Sequence, residues 1–361
     1  MHWAFYLVIY LLPITVIMGY IQGGSLTFFT AFVIFVAVPI VDLVIGRDTE
    51  NPTLEQETVL LRSKIRRVIP WIGMPAQLAL MFWGAYIVSH RPLSLIELAG
   101  ITISIGLTGG TMGINISHEL AHRHNRWERF LSAVILWSVG YMHWGIEHVS
   151  GHHKNVATFG DAATARYRES FYRFLPRTVI FTFLSSWEIE KKRLARKNRS
   201  PWSLRNRILT YLLLTVALAG GLYLAWGPKA LVFYVVQCFF AFSLLEVVNY
   251  IEHYGLLRKR DENGKYERVR PIHSWNAAEM FTNAFLFNLQ RHSDHHAEPR
   301  RRYPILRHYD EVAQLPTGYA GMVVLAMIPP LYFRIMEPRI PAGMIELHKQ
   351  YTADRKNGIA L

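Results

Sequence analysis

Sixteen histidines stand in this chain of 361 residues, and most fall in four short clusters. The first is His118-Glu119-Leu120-Ala121-His122. On a helix, residues four apart share a face with Cβ atoms roughly 6 Å apart, so these two imidazoles can reach one ion. The second cluster repeats the spacing of four at His148 and His152 and adds His153 one position round. The third is a single residue, His253, within Asn249-Tyr250-Ile251-Glu252-His253-Tyr254-Gly255. The fourth places His292, His295 and His296 at spacings of three and four. A structural zinc takes four protein ligands and a catalytic zinc three, so nine imidazoles suit two ions with four or five each. Neutral imidazole binds iron, copper, nickel and zinc, and ligand type leaves the metal open. The first cluster also reads H-E-x-x-H, in which a glutamate serves a zinc peptidase as general base. That alternative needs one further ligand and leaves six histidines without a role.

The single cysteine, Cys238, excludes a four-thiolate zinc or iron site and any disulfide framework within the chain. Composition is 51% hydrophobic and 18% charged, with a formal net charge of +13. Soluble domains carry about 25% charged residues, so this balance suits a membrane protein with its charge confined to a few segments.

A spanning helix takes about 20 mainly apolar residues. Six stretches qualify, at about 3–21, 25–46, 68–89, 93–116, 208–226 and 230–250. The first lacks a basic lead and a small-residue cleavage site, and is expected to be a retained helix rather than a signal peptide. The short links 22–24, 90–92 and 227–229 hold only Arg91 and Lys229 of the 39 Lys and Arg. The rest lie in 47–67, 117–207 and 251–361, which the positive-inside rule assigns to the cytoplasm with both termini. Basic residues that obey membrane topology give no support to nucleic-acid binding. The expected fold is one all-α integral membrane domain of about six transmembrane helices, with a cytoplasmic-side helical cap carrying the histidines. The apolar segments 130–146 and 319–336 are short or broken by proline, and are expected to be interfacial or partly buried helices.

The clusters together resemble those of the integral-membrane alkane 1-monooxygenases, within the membrane fatty acid desaturase and hydroxylase superfamily. The spacing of the histidine boxes marks the superfamily. Asn249 to Gly255, Leu289-Gln290-Arg291-His292-Ser293-Asp294-His295-His296 and His273-Ser274-Trp275-Asn276 narrow it to the alkane hydroxylases. The similarity runs from Pro39–Asp42 to Pro316–Tyr319. After the second box Asp161 is kept, while two prolines usual in the family are replaced by Phe159 and Ala162.

The resemblance implies a non-haem di-iron site bound by the nine histidines, with O₂ as co-substrate. It implies terminal hydroxylation of n-alkanes to primary alcohols in a bacterial-type inner membrane. Electrons would come from a rubredoxin, itself reduced by a rubredoxin reductase. A fatty-acyl or sterol desaturase or hydroxylase on the same scaffold is the nearest alternative.

Ligating histidines usually donate their other N–H to a carboxylate or carbonyl. Asp161, Glu252, Glu119 and Asp294 are the candidates here, with Asp161 and Glu252 preferred over pairing with nearby arginines. An alkane lacks a polar handle and requires an apolar channel ending at the oxidant. Gly106, Thr108, Gly109, Gly110 and Gly113 give the fourth span a small side, which serves either close helix packing or room for the substrate. Asp42 is a rare acid inside a span. The basic run Arg300, Arg301, Arg302 and Arg307 is the expected docking face for an acidic rubredoxin.

Overall fold

The computed structural model describes residues 1–356 and is helical, with three isolated bridges but no strand among the described residues. Among the described residues, six helices are long and apolar enough to cross a membrane: α1 (Trp3–Gln22), α2 (Gly24–Ile45), α3 (Lys64–His90), α4 (Leu95–Ala121), α7 (Arg207–Trp226) and α8 (Pro228–His253). They pair into three hairpins. Gly23 and Gly227 turn two of the links at φ 72° and 80°, a conformation that favours glycine at a helix end. Ser94 caps α4 and Glu97 reaches back to the Ser94 N–H at 2.9 Å. The other Glu97 oxygen accepts from Gly24 N at 2.9 Å, which ties two links together.

Between the hairpins lie α5 (Arg126–Ser138) and α6 (Phe171–Ala195), joined through a helical stretch at 144–155. The 25-residue α6 takes in the start of the charge-rich stretch 188–207, expected to be a solvated helix and loop, and reaches back to Phe171. Its buried Glu190 binds Arg193 and Arg207, which anchors α6 to the start of α7. After α8 come α9 (Met280–Phe285), α10 (His292–Ala297) and α11 (Tyr319–Ala326). The 319–336 segment breaks after α11 and resumes as a short helix at Pro329–Met336. Asp42 neither snorkels nor faces lipid. It is buried and accepts from the N–H and hydroxyl of Thr282, fixing α9 to the end of α2.

The helix α8 packs along α4 through the middle of the bundle. Gly106 permits that approach. A methyl there would stand 2.7 Å from the Gln237 carbonyl and from Phe240 Cβ. Gly109 and Gly113 face Gln77 of α3, whose side chain would lie 3.1 and 3.2 Å from added Cβ atoms. A methyl on Gly110 would meet the Ala241 carbonyl at 2.8 Å, and the Thr108 hydroxyl bonds back to Ser104 O. The small side of α4 is therefore a packing surface, and only Gly110 of the five residues also borders the cavity described below.

Candidate metal centre

The C-terminal ends of α4 and α8 lie at the same end of the bundle, and the four clusters meet there. They form two groups, in each of which one ligand atom per residue lies within 4.8 Å of all the others. His118, His122, His148, His153 and His295 make a group of five; His152, His253, His292 and His296 make a group of four. All nine expected ligands are included, and His124, His143 and His273 are not.

The division departs from the helical spacing. His148 and His152 are four apart, yet they belong to different groups, while His148 and His153 share one. The cause is a π-turn at His148–His152. Such a turn closes on i+5 rather than i+4, so the fifth residue returns to the same face.

The rings fit bound ions. His148 Nε2 lies 3.0 Å from His122 Nε2 and 3.1 Å from His153 Nε2, and His153 Nε2 lies 3.1 Å from His295 Nε2. A neutral imidazole has one N–H and cannot serve all these contacts as hydrogen bonds. Ligand nitrogens about 2.1 Å from one ion at right angles stand about 3 Å apart. His118 Nε2 and His152 Nε2 are buried without a hydrogen-bond partner, as are both ring nitrogens of His296. Burial, reinforced by neighbouring rings, pushes His122, His148, His153, His292, His295 and His296 well below the ordinary imidazole value. They are held neutral, the form that binds metal.

Two of the four candidate carboxylates touch these rings. Asp161 accepts from His152 Nδ1 at 2.9 Å and from Thr164 Oγ1 at 2.6 Å. Burial opposes charging His152, but Asp161 together with Glu147 and Glu246 outweighs it and holds the imidazole above its ordinary value. Glu252 approaches His292 Nε2 at 3.2 Å. That nitrogen also faces His253 Nε2 at 3.3 Å, so the carboxylate stands on the inner side of the group rather than behind the ring. Glu119 pairs instead with Arg123 at 3.2 Å, and Asp294 with Arg301, the Tyr309 hydroxyl and the Arg307 N–H. Through these contacts Glu119 and Asp294 hold arginines beside the clusters, and the second oxygen of Glu119 is buried without a partner.

Sequence reasoning missed two supports. Trp144 stacks on His148 with ring centroids 4.3 Å apart, and Ser274 Oγ lies 3.4 Å from His253 Nδ1. The H-S-W-N segment was legible as a motif, but only the fold brings its serine to His253.

An apolar cavity opens onto the histidines. Its body is lined by side chains such as Ile34, Phe35, Val38, Leu244, Phe285 and Val323. Its other end reaches His118, His148 and His292.

The basic run at 300–307 is mostly committed elsewhere. Arg301 pairs with Asp294, Arg302 with Glu128 and Arg307 with Glu57, leaving Arg300 as the exposed member. Removing one partner of a buried pair strands the other charge. Arg302→Ala should therefore cost roughly 2 kcal/mol, with water around the exposed edge of the arginine moderating the loss. Arg300→Ala should change stability by less than about 0.5 kcal/mol. Thermal unfolding of the two purified variants checks this, and equal stability would remove the structural role of the Arg302 pair.

The fatty acid desaturase family model matches residues 92–325. An alkane 1-monooxygenase of Alcanivorax borkumensis is 39% identical, covering 94% of this chain and 89% of its own. One from Pseudomonas aeruginosa is 42% identical over 86% of this chain and 83% of its own. A third, from Ectopseudomonas oleovorans, is 40% identical over 84% and 76% respectively.

Proposed function

Because the chain belongs to the fatty acid desaturase family and, within it, to the alkane 1-monooxygenases, we propose that it hydroxylates n-alkanes to primary alcohols at a di-iron centre. The observation that carries this reading is the junction of an apolar cavity with two groups of imidazoles, seven of the nine buried and two half-buried. An alkane offers only shape and apolar surface for recognition, and the cavity body supplies both.

The five- and four-histidine groups would each hold one iron. Bound there, iron would supply the chemistry of O₂ activation, by which one oxygen atom would enter the terminal C–H bond and the other leave as water. That balance takes two electrons and two protons. With one cysteine, buried Cys238, the chain has no thiolate redox centre of its own, and rubredoxin is the proposed donor. The cavity walls hold the chain and exclude water, while His118, His148 and His292 face the end where the methyl must sit. Glu252, beside His292 and the cavity, is placed to hold a proton near the centre. The clusters, both termini and the donor would lie on the cytoplasmic side of an inner membrane, in keeping with the distribution of Lys and Arg.

Plasma mass spectrometry and Mössbauer spectroscopy on protein grown with iron-57 should find about two irons per chain. n-Alkane, O₂ and a rubredoxin system should then yield the 1-alcohol. About one zinc and no iron from iron-rich cultures would overturn the reading.

A further inference from the structure

The cavity is apolar except near the histidines, where it carries polar atoms that an alkane cannot satisfy. Thr111 and Asn115 of α4 both line it and are more than nine-tenths buried. Thr111 Oγ1 and Asn115 Nδ2 have no hydrogen-bond partner. Asn249 also lines the cavity, but its amide already donates to Glu246 at 3.1 Å. A π-turn at Gly109–Ile114 interrupts α4 here, and π-turns recur at functional sites. His118 follows on the same side and borders the same cavity.

A buried amide without a partner is destabilising, and apolar residues of similar size would remove that penalty. Any partner must be a polar group that enters the cavity. The proposed reaction creates one such group there, because the alkane acquires a hydroxyl at the histidine end. We propose that Asn115 and Thr111 form a hydroxyl subsite that binds the primary alcohol. Asn115 Nδ2–H donates to the alcohol oxygen, and the alcohol O–H donates to Thr111 Oγ1. The subsite discriminates product from substrate without touching the apolar chain. This inference rests on the cavity being the alkane site.

The test is binding to the metal-loaded protein in nanodiscs with no electron donor present, so that turnover plays no part. Affinities for 1-decanol and n-decane are each corrected for partitioning into empty nanodiscs. The wild type should prefer the alcohol. Asn115→Leu should lower alcohol affinity about five- to tenfold, as expected for one lost hydrogen bond with its buried partner, and leave alkane affinity unchanged. Thr111→Val should lower it about threefold. Thermal stability of Asn115→Leu should equal or exceed that of the wild type, since no protein partner is lost. Parallel loss of both ligands, or an alcohol-to-alkane ratio unchanged by either variant, would overturn the subsite while leaving the cavity as the alkane site. Failure of the wild type to bind either ligand would overturn both readings.

Discussion

His253→Ala should release one metal ion per chain and lower alkane hydroxylation by more than about 100-fold, beyond the 10- to 100-fold typical of losing an outer partner of a ligand. His253 belongs to the four-histidine group, where removal leaves three imidazoles. His118→Ala should be milder in metal content, because the five-histidine group keeps four. Both residues are buried at the same end of the bundle and remove similar ring volume, so packing loss alone predicts similar behaviour. Metal analysis by plasma mass spectrometry, with thermal unfolding as a control, separates the two causes. Equal metal loss in both variants would contradict the assignment of His118 to the larger group.

The six spans were legible because lipid demands long apolar helices with internally bonded backbone. Their ends were not. The sequence reading stops the fourth span at 116, but α4 continues to Ala121. Three of the five added residues, Ser117, His118 and Glu119, are polar, which hides the last turn from an apolar count. The nine histidines that gather in the two groups were legible from spacing, whereas their partition was not, since a π-turn leaves no regular sequence signature at His148–His152. Carboxylates divided evenly for a similar reason. Asp161 and Glu252 reach rings, while Glu119 and Asp294 meet arginines that the fold brings beside them. The glycines of α4 could not be read because the sequence does not say which neighbour each one faces. Gly106 meets α8, while Gly109 and Gly113 meet Gln77.

Asp161→Asn should raise the rate of metal loss to a chelator about 10-fold, and Asp161→Ala toward 100-fold. His152 is held at one end: Nδ1 donates to Asp161, which leaves the unpartnered Nε2 facing the four-histidine group. An asparagine oxygen can still accept that hydrogen bond, but it lacks the charge that makes the imidazole a stronger donor to metal. Alanine removes the acceptor of both the His152 ring and the Thr164 O–H, whose oxygen keeps only the bond from Ala157 N. Burial alone would raise the Asp161 pKa, but His152 and Thr164 more than offset it and hold the carboxyl below its ordinary value. A depressed carboxylate contributes fully above its unfolded value of about 3.9 and loses that contribution only as pH falls through its folded value. The difference between the wild type and the Asp161→Asn variant should therefore stay constant from about pH 6 to 8. Chelator competition across that range measures it. If Asp161→Asn releases metal at the wild-type rate, the carboxylate serves the turn at Thr164 and leaves the orientation of His152 to its packing.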